Sequence, residues 1–185
     1  QSNLPGRHNV ENTLAAIASC FQIGLNLNEI KLALKNYKGV KRRFEQIIDT
    51  PDLVYIDDYA HHPEELKAAI SSAKEMYPNK KITGLFQPHL YTRTRDFSNE
   101  FSESLSLLDE VMLLDIYPAR ELPIVGVSSE MLLENITSTH KEVLTKSEVV
   151  DKIIEKKIEV LLTLGAGDID KLVEPIKRTL ESKLN

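Results

Sequence analysis

From Phe44 onward, short apolar segments of strand length alternate with amphipathic segments of helical length. Such alternation is typical of an α/β domain, because each helix crosses back over the sheet to reach the next parallel strand. The first two apolar segments are separated only by Asp49–Asp52, which predicts a hairpin. We therefore predict a mostly parallel sheet with helices on both faces. The predicted strands are FEQII, LVYIDDY, KITGLF, EVMLLDI and EVLLTLG.

The residues before Phe44 have a different pattern. An Ala-rich apolar repeat predicts one helix over Asn12–Phe21, and a second helix is predicted to begin at the N-cap residue Asn28 and to end at Gly39. Lys38–Arg43 carries four positive charges and is predicted to be an exposed linker.

Cap residues mark the later helices. Pro63 is predicted at the first turn of one helix, and Ser128 or Ser129 opens another. Asp96 is predicted to cap a helix that reaches Leu107, and Asp168 to cap the last helix.

Composition narrows the function classes. The chain has 23 Lys and Arg against 28 Asp and Glu, and this net charge of −5 excludes a generally basic nucleic-acid binder. Cys20 is the only cysteine, so an internal disulfide and a cysteine-based zinc site are excluded, and we expect a cytoplasmic protein. No apolar run approaches the roughly 18 residues of a membrane span, so we expect no membrane partner. The chain lacks an initiator Met and a signal-peptide pattern, so we expect it to be a piece of a longer protein.

Polar motifs follow the predicted parallel strands. They are DDYAHHP, QPH, DIYPARE and GAGD. Ligands bind open α/β sheets beyond the carboxyl ends of the strands, so we expect these motifs to meet at one edge and form a site.

Asp57–Pro63 places two carboxylates, a phenol and two imidazoles between a strand and a helix. Asp58 could accept a hydrogen bond from a ribose hydroxyl, and His61 could donate to a carboxylate or phosphate. Alternatively, one Asp caps the helix and the histidines are solvated. A zinc site of His61, His62 and His89 is a further alternative.

Two arginines follow His89. Arg93 and Arg95 are predicted to lie on a loop, where their planar forks suit carboxylate or phosphate. Alternatively, they form surface salt bridges with Asp96 and Glu100.

Three further motifs allow a binding role or a structural one. Lys41–Arg43 could meet phosphate or an adenine ring, or be a solvated basic face. Gly165–Asp168 is favoured as a tight strand-to-helix turn, because it lacks the third glycine of a phosphate-binding fingerprint. Asn9 and Asn12, three residues apart, suit a purine edge or simple helix capping.

Taken together, these motifs resemble those of the Mur ligases, the ATP-dependent amide-forming enzymes of peptidoglycan synthesis. GRHNVEN resembles a motif of the family's central domain, and the others resemble motifs of its C-terminal domain in the same order. The most specific pair is DDYAHHP with FQPHLYTRTRD. The C-terminal motifs are KRRFE, DDYAHHP, FQPHLYTRTRD, DIYPARE and GAGD.

The resemblance implies that residues 1–40 are the last helices of a central ATPase domain. Residues 41–185 would be the entire C-terminal domain, which is Rossmann-like in this family. The sequence contains no G-x-x-x-x-G-K-[ST] loop, so the P-loop, the magnesium ligands and the sugar-nucleotide domain would belong to a part of the enzyme outside this chain.

The resemblance also implies residue roles. The full-length enzyme would use ATP and Mg²⁺ to join L-alanine to UDP-N-acetylmuramate, and this chain alone would be inactive. Tyr59, His61, His89 and Arg93 would form the amino-acid pocket, with Arg93 pairing the alanine carboxylate. Asn9 and Asn12 would lie at the adenine, Arg43 at the phosphates and Asp58 at the ribose.

Three alternatives remain open from sequence. The first is a noncatalytic Rossmann-like nucleotide-binding module. The second is a murein-tripeptide recycling ligase of the same family, and the third is a metal-dependent hydrolase that uses Asp58, His61, His62 and His89.

Overall fold

A computed structural model of the chain describes residues 6–37 and 39–184. Residues 1–5, Lys38 of the predicted linker and Asn185 lie outside the described residues. The chain divides into two compact units, Gln1–Lys41 and Arg42–Asn185, and each is described by itself. Their assignment to two domains of a larger enzyme stays a prediction.

The first unit contains two helices, α1 (Arg7–Gln22) and α2 (Leu27–Asn36). The predicted N-cap of α2, Asn28, is wrong: Asn26 caps the helix, and its side-chain oxygen accepts hydrogen bonds from the backbone N–H groups of Asn28 and Glu29, both at 3.0 Å. The Glu29 carboxylate accepts the backbone N–H of Asn26 in return, at 3.3 Å. This reciprocal pair satisfies more of the helix's free N–H groups than a cap at Asn28 alone.

The second unit is built on a six-stranded sheet with the order β1-β2-β6-β3-β4-β5. β1 and β2 form the predicted antiparallel hairpin, and every other neighbouring pair is parallel. The prediction of a mostly parallel sheet is therefore confirmed. The strands are β1 (Glu45–Asp49), β2 (Val54–Asp58), β3 (Ile82–Phe86), β4 (Glu110–Leu114), β5 (His140–Leu144) and β6 (Val160–Leu164).

Helices cover both faces of this sheet, as predicted. Successive side chains of a strand point to opposite faces, so Ile56 packs in one apolar core and its neighbour Tyr55 in the other. The first core is covered by α3, α5 and α6, and the second by α7 and α8. The helices are α3 (Pro63–Met76), α4 (Tyr91–Asp96), α5 (Ser98–Leu105), α6 (Ser129–Asn135), α7 (Val149–Glu155) and α8 (Val173–Ser182), with a 3₁₀ turn at Asp168–Leu172.

Two elements were not predicted and two predicted helices differ. β5 and α7 were missed. β5 is a partly exposed edge strand whose first three residues, His140–Glu142, are polar, so it lacks the apolar run of a buried strand. The helix predicted from Asp96 to Leu107 corresponds to α5, which begins at Ser98 after Phe97, and Asp96 is the last residue of α4 rather than a cap. Asp168 begins a 3₁₀ turn rather than capping an α-helix directly. Among the described helices, none combines the length and the apolar character needed to cross a membrane.

Glu110 forms an ion-pair network at the amino-terminal end of β4, the edge opposite the polar motifs. Its buried carboxylate lies 2.7 Å from Lys81 Nζ and 2.5 Å from Lys156 Nζ, and Lys156 also lies 2.8 Å from Glu142. Burial alone would raise the pKa of Glu110, but the hydrogen bonds from Lys156 and Lys81 lower it below its ordinary value of 4.5.

We expect Glu110→Gln to lower the free energy of unfolding by about 1–2 kcal/mol at neutral pH, because two partly buried lysines lose their charged acceptor. Because folding lowers the pKa of Glu110, its stabilisation is present above 4.5 and is lost as the pH falls through the lowered pKa. Urea unfolding near pH 7 and near pH 3 should therefore show the difference between variant and wild type shrinking in acid. Glu103→Gln, at an exposed position of α5, is the matched control and should change little.

Candidate functional site

The polar motifs meet at the carboxyl-terminal edge of four neighbouring strands, β2, β6, β3 and β4. Backbone hydrogen bonds continue past the strand ends: Gly165 N–H donates to Asp58 O at 3.2 Å, Gln87 N–H donates to Leu164 O at 3.0 Å and Tyr117 N–H donates to the Pro88 oxygen at 2.8 Å. The predicted gathering of these motifs on one edge is what the structure shows.

Four aromatic rings form a row along this edge. Tyr59 and His61 follow β2, and their ring centroids lie 5.1 Å apart. His61 is 6.2 Å from His89, which follows β3. His89 in turn stacks on Tyr117, which follows β4, at 5.6 Å. Three of the four residues predicted for the amino-acid pocket therefore lie in contact range of one another.

Two buried polar atoms at this edge have no hydrogen-bond partner within the described chain: His89 Nδ1 and Arg93 Nη1. Burial lowers the pKa of His89, and the nearby positive charges of Arg93 and His61 lower it further. His89 is therefore a neutral imidazole beside a guanidinium. Buried polar atoms without partners are costly. Arg93 Nη1 suits a ligand that supplies an acceptor oxygen, and His89 Nδ1 suits one that supplies an acceptor or a donor, according to its tautomer.

The predicted loop around Arg93 and Arg95 is wrong, because both lie on the short helix α4. Helical geometry points the two side chains in different directions. Arg95 is exposed and pairs with its neighbour Asp96 at 2.8 Å, as in the surface salt-bridge interpretation. Arg93 forms no such pair among the described residues, which leaves it for the interior of the site.

Asp58 ends β2 and is nearly buried. One of its carboxylate oxygens accepts the Phe44 N–H at 2.6 Å, and the other accepts the Ala60 N–H at 2.7 Å. Burial raises the pKa of Asp58, although these two hydrogen bonds and the charge of Arg43 oppose the rise. The Asp58 side chain therefore holds the backbone at Phe44 and at Ala60, and each carboxylate oxygen keeps a second lone pair for a ligand.

The prediction that the basic run is an exposed linker is wrong for Arg42. Its Nε lies 3.1 Å from Asp57 Oδ2 and its Nη2 donates to Gly165 O at 2.5 Å. Asp57 is 1% exposed and also accepts the Thr163 hydroxyl at 2.6 Å. A carboxylate as buried as that of Asp57 needs a counter-charge, and the residues next to Asp57 in sequence do not show that Arg42 supplies it. Arg43, by contrast, is exposed, with its guanidinium 6.0 Å from the Tyr59 ring.

His62 does not share the site of His61 and His89. Its ring packs on Phe97 at 4.9 Å, and the Glu65 carboxylate accepts the N–H groups of His61 and His62 at the start of α3. Within residues 6–37 and 39–184, no three or more His, Cys, Asp or Glu side chains gather in a way that could hold a metal ion. The donor geometry therefore does not fit the zinc or metal-hydrolase alternatives.

Gly165–Asp168 is a tight turn that follows β6 and packs against Gln87. Gly165 has a φ of +140°, and a Cβ on Gly167 would lie 2.4 Å from Gln87 Oε1. Gln87 is buried and donates to Asp168 Oδ1 at 3.0 Å, while its own oxygen accepts the Ile169 N–H. Close packing against Gln87, rather than phosphate, therefore accounts for both glycines.

Asn9 and Asn12 lie in the first unit, both within α1. Asn9 is partly buried and its carbonyl oxygen accepts the Thr13 hydroxyl at 2.6 Å, whereas Asn12 is exposed. Capping does not explain them, because Gly6 is the N-cap of α1. Their role at an adenine stays a prediction.

Several residues that build this edge had no individual role predicted from the sequence. Tyr117 and Gln87 belong to motifs that were noticed only as strand ends, and Arg42 was grouped with a solvated basic run. Tyr117 and Gln87 each come directly after a predicted parallel strand, and that position could have marked them as residues of the site. Nothing in the local sequence shows that Arg42, unlike Arg43, is the partner of a buried carboxylate.

Comparison with known proteins shows the family of this chain. The family described as "Mur ligase, glutamate ligase domain" matches residues 42–169. The UDP-N-acetylmuramate–L-alanine ligase of Porphyromonas gingivalis strain W83 is 51% identical over 180 residues, which are 97% of this chain and 40% of that protein. The ligase of the same name from Cytophaga hutchinsonii is 47% identical over 180 residues, which are 97% of this chain and 39% of that protein.

Solved structures agree as well. The UDP-N-acetylmuramate–alanine ligase of Thermotoga maritima superposes with a TM-score of 0.80 at 31% identity, over 98% of this chain and 40% of that one. A murein peptide ligase from Psychrobacter arcticus has the same fold, with a TM-score of 0.67 at 21% identity, over 97% of this chain and 38% of that one.

The sheet and the turns that follow it thus define a Rossmann-like α/β domain whose polar turns converge beyond the ends of its parallel strands. The chain belongs to the Mur ligase family, as its motifs predicted. It spans about two fifths of the length of the curated relatives that it matches.

Proposed function

We propose that this chain is the C-terminal part of an ATP-dependent ligase that joins L-alanine to UDP-N-acetylmuramate. In this proposal the chain supplies the amino-acid pocket and one wall of the ATP site. The relatives that cover the chain at 47–51% identity carry the name of that ligase, which supports alanine over other amino acids.

The observation that carries the proposal is the pair of unpartnered buried atoms, His89 Nδ1 and Arg93 Nη1. A guanidinium recognises a carboxylate as a planar fork, and every free amino acid carries an α-carboxylate. The neutral imidazole of His89 offers a second hydrogen bond without adding a charge that would repel the substrate's ammonium group. Tyr59 and His61 would complete the pocket along the ring row.

The nucleotide would lie beside this pocket. Arg43 is exposed within 6.0 Å of Tyr59 and is free to approach phosphate oxygens. Asp58 would use its remaining lone pairs for ribose, and Asn9 and Asn12 would meet the adenine. These four roles come from the family resemblance and are proposals.

Mg²⁺, which the proposed ligase would use with ATP, finds no ligand set among the described residues. We therefore assign the metal ligands and the P-loop to the remainder of the ligase, and we derive no step through the metal.

In the proposed reaction, the γ-phosphoryl group of ATP passes to the lactyl carboxylate of the sugar and ADP leaves. The neutral amine of alanine then attacks the carbonyl carbon of this acyl phosphate, the amide bond forms, the amine loses a proton and phosphate is released. The residues of this chain bind and orient. Arg93 would fix the carboxylate end of alanine so that its amine faces the reacting carbon, a positioning effect that can contribute several kcal/mol. Splitting the site between domains would let closure exclude water from the acyl phosphate.

The test uses the purified full-length protein with ATP, UDP-N-acetylmuramate and one amine at a time. We expect phosphate release and a product of the mass of UDP-N-acetylmuramoyl-L-alanine only when all three substrates are present. Residues 1–185 alone should give no turnover. Ligation of a murein tripeptide in preference to L-alanine would replace this proposal with the recycling ligase. Nucleotide binding without any ligation would replace it with a noncatalytic module.

A further inference from the structure

The turn Tyr117–Glu121 belongs to the DIYPARE motif, and the proposed function gives none of its residues a role. It follows β4 and reverses direction at Ala119, whose φ of +52° is unusual for a residue with a side chain. The Glu121 N–H donates to the oxygen of Pro118 at 2.9 Å and closes the turn. This geometry brings Glu121 back toward α4.

Glu121 supplies the cap that α4 lacks. The residue at the N-cap position of α4, Leu90, has no side chain that could accept a hydrogen bond. Instead, the Glu121 carboxylate accepts the Thr92 N–H at 3.0 Å and the Thr92 hydroxyl at 2.5 Å. The first N–H groups of a helix have no partner within the helix, so this distant carboxylate satisfies one of them.

The start of α4 needs such an anchor. Leu90 has a φ of +74°, a backbone conformation that costs energy for a residue with a Cβ. Its N–H donates to the Tyr117 oxygen at 2.9 Å, so the same turn holds α4 on both sides of Tyr91. Arg93 is the residue directly after the anchored Thr92.

The turn also holds the other member of the unpartnered pair. Tyr117 stacks on His89, and its N–H donates to the oxygen of Pro88. His89 and Arg93, which lie on separate segments, are therefore both fixed by one five-residue turn.

We propose that Glu121 is a positioning residue for substrate binding: by capping α4 through Thr92, it holds Arg93 where it receives the carboxylate of the amino-acid substrate. This inference rests on the proposed function. The hydrogen bonds from Thr92 lower the pKa of Glu121, so the capping carboxylate stays ionised through the neutral range.

The test is steady-state kinetics of the full-length enzyme with the variants Glu121→Ala and Glu121→Gln. We expect Glu121→Ala to raise KM for L-alanine about 10-fold, while KM for ATP and kcat change less than about 2-fold, because only the amino-acid subsite loses its alignment. Glu121→Gln keeps an oxygen acceptor and should recover most of the affinity. Leu122→Ala, at the exposed neighbouring position, is the control and should match wild type.

A double-mutant cycle distinguishes action through Arg93 from a general loss of structure. If Glu121 acts by positioning Arg93, then Glu121→Ala should add less than about 2-fold to KM for L-alanine in an enzyme that already carries Arg93→Ala. Additive effects, equal losses in KM for ATP and for alanine, or no recovery in Glu121→Gln would each overturn the inference.

The failure of this inference and that of the proposed function have different signatures. An unchanged KM for alanine in Glu121→Ala, beside a raised KM in Arg93→Ala, overturns the positioning role and leaves the ligase standing. A wild-type enzyme that ligates no L-alanine overturns both.

Discussion

Arg93→Ala in the full-length enzyme is expected to raise KM for L-alanine about 30- to 150-fold, equivalent to about 2–3 kcal/mol of lost binding. The reason is the unpartnered Nη1 of Arg93, which lies buried beside His89 without an acceptor from the described chain. A carboxylate that reaches this atom replaces no internal hydrogen bond, so its full charge-assisted interaction contributes to binding. Titration of L-alanine at saturating ATP and UDP-N-acetylmuramate measures the effect.

Arg95→Ala is the matched control for this substitution. Arg95 lies two residues further along the same helix and carries the same charge, but its side chain is exposed and paired with Asp96. Its loss should leave KM for alanine within about 2-fold of wild type. Arg93→Lys should fall between the two, because lysine keeps the charge and loses the fork. Equal KM values in Arg93→Ala and wild type would remove the carboxylate role from Arg93.

Arg42→Met is expected to lower the free energy of unfolding by about 3 kcal/mol at neutral pH, because breaking a buried ion pair strands its partner. The stranded group is Asp57, which is 1% exposed and, among the described residues, keeps the Thr163 hydroxyl as its side-chain hydrogen-bond donor. The variant also loses the hydrogen bond to Gly165 O, which ties the start of the second unit to the turn after β6. Urea unfolding followed by circular dichroism measures the loss.

The pH dependence of this loss has a definite sign. Burial raises the pKa of Asp57 above its ordinary value of 3.8 even with Arg42 present, and removing Arg42 raises it further. A raised carboxyl pKa in the folded state favours folding in acid and costs stability as the pH rises through that pKa. The difference between Arg42→Met and wild type should therefore be largest near pH 7 and shrink toward pH 3.8.

Two further variants isolate the pair. In the double variant Arg42→Met with Asp57→Asn, no charge is left buried, so the combined loss should be smaller than the sum of the single losses. Arg43→Met, at the exposed neighbouring position, should cost less than about 0.5 kcal/mol. Equal losses at positions 42 and 43 would mean that the buried pair contributes nothing specific.

The parallel sheet could be predicted because its evidence is local. Strands buried on both faces are continuous apolar runs, as in β3 and β6, and the helices between them carry their own apolar stripes and caps. The edge strand β5 was missed for the same reason, since its exposed His140 and half-buried Lys141 and Glu142 carry no such signal.

The candidate site was predictable in part. Motif positions after parallel strands placed Tyr59, His61 and His89 on one edge, because the carboxyl ends of parallel strands coincide. Residue type and spacing did not decide between Arg93 and Arg95, and only the family resemblance selected Arg93. The two differ by their direction on a helix that the sequence suggested was a loop.

The sequence by itself determined the fold class, the family and the edge of the sheet on which the polar turns gather, because these depend on the order and periodicity of residues along the chain. Only the tertiary structure decided which polar groups are already partnered: Arg42 with Asp57, Glu121 with Thr92, and Asp58 with two backbone N–H groups. Hydrogen bonding and burial depend on neighbours that are distant in sequence. They alone distinguish a side chain that holds the fold from one, such as Arg93, that remains available to a ligand.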